Sequence, residues 1–214
     1  MTLRNAIRCL FAAVLMCPGA AFAASCDVDV PKAEQIVPND GTHDATALSE
    51  AVRAATNTVR CARGLAPLAT DPALVDMAER YSRDMAQRGF FAHQSPVEGR
   101  ETLRKRADDA GIGNVNLAEN LITGFFVDYD DGDRFSVVDR DACEFRDADS
   151  GRLYDRLTYR TMADDLVARW MDSTGHRRNI LSADLTRHGF GMAVDPKDSA
   201  LCGKTLGTQV FAGG

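Results

Sequence analysis

The 214-residue chain contains one tryptophan, four histidines and no apolar run of bilayer-spanning length. It has no run of basic residues either: 25 Lys and Arg face 31 Asp and Glu, a formal charge of -6. No phosphate-binding groove is implied, so nucleic acid is not an expected partner. No C-x-x-C pair occurs, which removes a thioredoxin-like redox site and a zinc knuckle. G-x-S-x-G, H-E-x-x-H, the P-loop and the dinucleotide fingerprint are also missing, and with them the familiar catalytic signatures. There is no internal repeat or low-complexity tract, and 45% of the residues are hydrophobic, so one globular domain with a packed core is expected.

The first residues read as an address. Arg4 and Arg8 precede the apolar run Leu10 to Met16, closed by Pro18-Gly19, and Ala21-Phe22-Ala23 has small residues where a signal peptidase probes. A signal peptide over residues 1–23 is expected, with a mature chain from Ala24 that is secreted or periplasmic. Cys9 and Cys17 leave with it. Cys26, Cys61, Cys143 and Cys202 remain, an even number in an exported chain, and disulfides are expected. Three pairings are open. The one carried forward joins Cys26 to Cys61, tethering the arm to the first helix, and Cys143 to Cys202, pinning an acidic insertion; the spacing does not derive it.

Residues 24–43 carry Pro31, Pro38 and Asn39-Asp40-Gly41, a turn-rich arm without an apolar period. From Asp44 to Arg63, Leu48, Val52, Ala55, Val59 and Ala62 recur every three or four residues, and Gly64 follows as a stop. A second helix starts at Asp71-Pro72, cap then first-turn proline, and ends at Gly89. A third is expected over Thr161–Asp172, presenting Leu166, Val167 and Trp170. Strand signals fall at Asn120–Val127, Gly189–Val194 and Thr205–Ala212, the last two flanking the turn Asp195-Pro196-Lys197-Asp198 as a hairpin. The class is α+β, a small antiparallel sheet covered on both faces by helices.

Residues 125–157 stand apart, with ten acids against five arginines, and read as a solvated excursion. Asp128-Tyr129-Asp130-Asp131-Gly132-Asp133 suggests a calcium loop, but its glycine is fifth instead of sixth and no closing glutamate follows. Among titratable residues, His93 and His176 each fall at the end of a predicted helix, loop-edge positions that suit a cleft, and Glu119 begins the middle strand. Each by itself fits a structural role equally well.

Together these segments resemble the CAP superfamily of cysteine-rich secretory proteins, antigen 5 and plant pathogenesis-related proteins, in its bacterial SCP-like form. The resemblance rests on six ordered blocks. These are Asn57-Thr58-Val59-Arg60 with Gly64-Leu65-Ala66-Pro67-Leu68, Phe90-Phe91-Ala92-His93-Gln94-Ser95-Pro96, Ala118-Glu119-Asn120-Leu121, Trp170 to Leu181, Gly189-Phe190-Gly191-Met192-Ala193, and Thr208-Gln209-Val210-Phe211. It implies an α-β-α sandwich over residues 44–214 with a cavity where the family places two histidines and two glutamates, sometimes around zinc or another divalent cation. His93, Glu119 and His176 match three of the four; Ser173 stands where the animal members have the second glutamate, and Asp172 beside it is a possible substitute. His93 and His176 are the implied metal ligands, and Arg106 reads as an internal ion-pair partner.

Two imidazoles and a carboxylate could hold an open zinc site or form a hydrogen-bond knot. The expected function is a non-enzymatic binding module, monomeric, whose cavity takes a divalent ion, a small lipid or a segment of an extracellular partner. The alternative is an exported hydrolase, peptidase or esterase-like, with catalytic candidates His93, Glu119 and His176. A third reading makes the acidic insertion an adhesive contact surface.

Overall fold

A computed structural model describes residues 25–130, 132–198 and 200–214. The signal peptide and its cleavage site, and Asp131 of the acidic stretch, lie outside the described residues.

The first two helices form where their caps and periods place them. α1 (Ala45–Cys61) starts at Asp44, whose carboxylate accepts from the Ala47 N–H, and α2 (Pro72–Arg88) starts at Asp71 and ends on Gly89 at φ 71°. A two-residue strand, β1 (Ala69–Thr70), joins them. α3 (Leu103–Asp109), a short helix with no strong sequence signal, follows the loop that carries His93. β2 (Asn116–Gly124) begins four residues before the expected Asn120 and stops before Phe125, because its whole length pairs antiparallel with the last strand. β3 (Phe135–Asp139) and β4 (Glu144–Asp147) form a separate ladder inside the acidic stretch, where only a solvated excursion was expected. α4 (Tyr159–Asp172) begins two residues early, at a Thr158/Thr161 capping box, and α5 (Thr174–Ile180) follows after Ser173. β5 (Arg187–Val194) and β6 (Thr205–Gly213) complete the expected hairpin.

The main sheet has the order β1-β5-β6-β2. α1, α4 and α5 pack on one face against Ile122, Phe190, Met192 and Phe211, with Trp170 fully buried. α2 and α3 pack on the other against Leu121, Ala193, Leu206, Val210 and Ala212. Alternation along the strands therefore supplies two cores, one per face. On β5 the α2 face reads Gly189, Gly191, Ala193. A Cβ on Gly189 would lie 2.3 Å from the Leu74 carbonyl carbon, and one on Gly191 2.1 Å from the Glu79 nitrogen. The helix backbone rests directly on the strand there, with no room for a side chain.

Part of the core between α1 and the sheet is polar. Gln209 donates to Thr56 Oγ1 at 3.0 Å, accepts from Asn120 Nδ2 at 2.9 Å and meets His188 Nε2 at 3.2 Å. Arg60, fully buried, donates to the carbonyls of Ala66, Ile180, Ser182 and Leu185, and so fixes the chain after α5 to α1. The disulfides are Cys26–Cys61 and Cys143–Cys202; the first ties the arm to α1 and the second ties the start of β4 to the turn before β6.

Gly191→Ala is expected to lose at least the ~1–3 kcal/mol of an overpacked core, since helix backbone and not a side-chain tip must move. Gly175→Ala, which meets open space on α5, is expected to melt within a degree or two of the parent. Thermal unfolding of the pair checks this; equal melts would show that α2 does not sit on the glycines.

Candidate functional site

Glu119 is the centre of the site, on the α2 face of the edge strand β2, with a side chain only 3% exposed. A buried carboxylate must be compensated, and here each oxygen has its own partner. Oε2 accepts from the Arg106 guanidinium at 2.6 Å, and Oε1 accepts from His93 Nδ1 at 2.8 Å. Arg106, from α3, is as buried as Glu119, lies 3.6 Å from the centroid of the Tyr81 ring, and donates to the carbonyl of His93 at 3.3 Å. Tyr81, from α2, donates its hydroxyl to the carbonyl of Ala92, and burial pushes its pKa up to about 12. Two α2-face helices thus hold the loop that presents His93.

The other half comes from α5. Asn179 donates to the Glu119 carbonyl at 3.2 Å and to Asn120 Oδ1 at 2.8 Å, and Asn120 donates to the His176 carbonyl at 3.4 Å. The polar core of α1 therefore continues through Gln209 and Asn120 to the helix that carries His176. Further along β2, Trp170 Nε1 donates to the Leu121 carbonyl and Arg169 to that of Thr123, so this sheet edge is covered by side chains.

A cleft of about 370 Å³ runs beside this strand, lined by His93, Gln94, Thr102, Leu103, Leu117, Ala118, Glu119 and Asn179. His93 and Glu119 are brought together in it. His176 is half-buried nearby, within electrostatic reach of His93, and is not part of the lining. Ser173 stands between α4 and α5, makes no capping hydrogen bond with its side chain and does not line the cleft; Asp172 is exposed. A larger cavity, about 470 Å³, lies between the N-terminal arm and α2, bordered by His43, Glu79, Arg83 and Met192. Its Glu79 and Arg83 are already paired at 3.1 Å.

The two histidines titrate in opposite directions. The hydrogen bond to Glu119 raises the pKa of His93, whereas burial, and then the positive charge of a protonated His93, lower that of His176. A divalent ion does not fit the side chains as arranged. Both oxygens of Glu119 are engaged, one by a guanidinium, and no group of three or more His, Cys, Asp and Glu able to hold a metal occurs among the described residues. Only the two imidazoles are left as donors, short of the three protein ligands of an open zinc site.

Sequence reasoning did not single out Tyr81, Gln209 or Asn120. Tyr81 looks like an ordinary member of a helical apolar stripe, and the two amides lie in strands whose aliphatic neighbours dominate the pattern.

The family profile described as CAP, Cysteine-rich secretory protein family, matches residues 53–211. An uncharacterized protein of Bacillus subtilis (strain 168), YkwD, is 27% identical over 136 residues, 64% of this chain and 38% of that protein. The uncharacterized membrane protein YlbC of the same organism is 25% identical over 137 residues, 64% of this chain and 29% of that one. The chain thus spans well under half the length of these curated relatives. Among solved structures, an extracellular protein containing a SCP domain from Bacillus anthracis str. Ames superposes with a TM-score of 0.55 at 21% identity, over 84% of this chain and 44% of that one.

Proton NMR of the imidazoles is expected to place His93 above the ordinary value near 6.5 and His176 below it. Because the folded value of His93 is raised, its contribution to stability is complete below about pH 6.5 and is lost as pH rises through the folded pKa. Glu119→Gln is expected to bring His93 down and, by easing the repulsion from a protonated His93, to let His176 rise slightly; an unshifted His93 in that variant would break the assignment. Arg106→Met, which strands a buried carboxylate, is expected to cost about 3–5 kcal/mol in chemical denaturation.

Proposed function

Because the chain belongs to the CAP family, the cysteine-rich secretory protein family, we propose that it is an exported binding module that takes a small amphiphilic lipid in the His93–Glu119 cleft. The observation that carries this reading is that both oxygens of Glu119 are engaged, by Arg106 and by His93. A general base needs a carboxylate free to take a proton from substrate or water, and this one is held as a structural anion. Neither the Ser173 side chain nor any other hydroxyl nucleophile paired to a base can be named in the cleft.

The lining suits an amphiphile. Leu103, Leu117 and Ala118 offer aliphatic surface for a short chain, and His93, Gln94, Thr102 and Asn179 offer polar contacts. His93 is the contact best placed to meet an anionic headgroup: its side chain is 60% exposed, and its raised pKa keeps more of it cationic near neutrality than an ordinary histidine. Export is supported by the two disulfides, which form in an oxidising compartment, and by the extracellular description of the structural relative from Bacillus anthracis. No helix among the described residues is long and apolar enough to cross a membrane. No step of this reading runs through a metal.

Native mass spectrometry of the exported, oxidised protein tests it, with palmitate as the probe and a His93→Ala/His176→Ala variant beside it. An added lipid mass in the parent and its loss in the variant is the expected result. A bare parent at saturating palmitate would sink the cleft as a lipid site. Turnover of peptide or ester panels that is lost in Glu119→Gln would replace this reading with the hydrolase.

A further inference from the structure

Much of the sheet edge in this fold is covered by side chains or by a further segment of chain. β1 pairs with the start of β5, and Ser49 Oγ accepts from the Phe190 N–H beyond it. The carbonyls of β2 take Asn179, Trp170 and Arg169. The outer side of β4 is met by residues 152–154, through Arg146↔Leu153 and the bonds Asp147–Arg152 and Tyr154–Phe145. Along Phe135–Asp139 the outer side of β3 has no backbone partner among the described residues. Proteins ordinarily blunt such an edge with charge, proline, a bulge or cover, and of these β3 has flanking charges and one bulge.

This edge exposes apolar side chains between flanking charges. Every residue of β3 is exposed, and Phe135, Val137 and Val138 are 36%, 45% and 48% exposed. Val137 pairs with the fully buried Phe145, and a bulge leaves Val138 as the extra residue beside it. The aromatic ladder Phe125–Tyr129–Phe135–Phe145 crosses β3 at Phe135 and ends on β4, so aromatic surface reaches this strand.

The charges around the edge identify what would continue it. The segment reads Asp133-Arg134-Phe135-Ser136-Val137-Val138-Asp139-Arg140. Laid antiparallel against itself, Asp133 meets Arg140 of the other copy and Phe135 meets Val138; Arg134 meets Asp139 as well, although within its own copy Arg134 already pairs with Asp149 and Asp139 accepts from the Asp141 and Ala142 N–H groups. Each opposite-charge pair and each apolar pair occurs twice by symmetry. Opposite charges directly across a strand pair attract and like charges repel, so the segment is its own complement.

We propose that β3 is a self-association edge: two copies of the chain pair antiparallel through residues 133–140, making a continuous sheet β4-β3-β3-β4. This departs from the monomer expected from sequence and is independent of the cleft reading. A contact of this size falls below the ~1,000 Å² of a stable interface, so a reversible, concentration-dependent dimer is the form it takes.

Sedimentation equilibrium of the exported, oxidised protein is the test. Asp133 and Arg140 make no side-chain hydrogen bond or ion pair among the described residues, so both can be reversed without disturbing the hairpin. Asp133→Arg and Arg140→Asp should each weaken dimerisation about tenfold, because both symmetric pairs become like-charged. An equimolar mixture of the two variants should recover the parental affinity as a heterodimer, which a folding defect cannot do. Val137→Lys/Val138→Lys should abolish association with an unchanged melt. A parent that stays monomeric at about 1 mM, near the weak limit of specific association, would overturn the proposal. Charge variants that dimerise like the parent, or a mixture no tighter than its components, would do so too.

Discussion

A carboxylate buried on an edge strand has to be neutralised by the protein around it, and much of the arrangement near Glu119 follows from that requirement. Arg106 must come from α3 to pair with it, and the flat guanidinium needs the Tyr81 ring of α2 beneath it. Arg106 then also holds the His93 carbonyl, and Tyr81 the carbonyl of Ala92 just before it. The remaining oxygen takes the His93 ring. One ion pair thus sets the path of the 90–101 loop, the position of α3 and the orientation of the imidazole that faces the cleft. Removing either partner leaves the other charged and dry, so the site and the local fold stand or fall together.

A second polar thread runs on the opposite face of the same strand. Thr56, Gln209, Asn120 and Asn179 link α1 to α5 through the sheet, and Arg60 closes the chain after α5 with four carbonyl contacts. His188 belongs to this thread, and complete burial lowers its pKa to about 3, so it stays neutral inside the core. A polar core of this kind is tolerated because nearly every group in it is matched, and it specifies one placement for α5 where a purely apolar contact would allow sliding. His93 and His176 therefore approach the same region from opposite sides of β2, each held by its own network.

The helices that carry this arrangement were legible from sequence where local chemistry and the burial pattern agree. Asp44 and Asp71 cap α1 and α2, Gly89 ends α2, and the apolar period names the buried residues. α3 and α5, seven residues each, are too short to establish a period and are held by Arg106, Asn179 and their partners. The β3–β4 ladder was hidden because ten acids dominate its composition, although Phe135, Val137 and Val138 stand among them. β2 was placed too late because Asn116–Glu119 has little strand character of its own and is fixed by pairing with β6.

His93, Glu119 and His176 could be named from the sequence blocks, but their roles could not. Sequence by itself determined the class of the fold, the family and the two long helices, because caps, periods and ordered blocks are local properties of the chain. Tertiary structure decided which cysteines meet, that Glu119 spends both oxygens on Arg106 and His93, and that β3 has no backbone partner on its outer side among the described residues. Those depend on distances between residues far apart in sequence, and no local pattern encodes such distances.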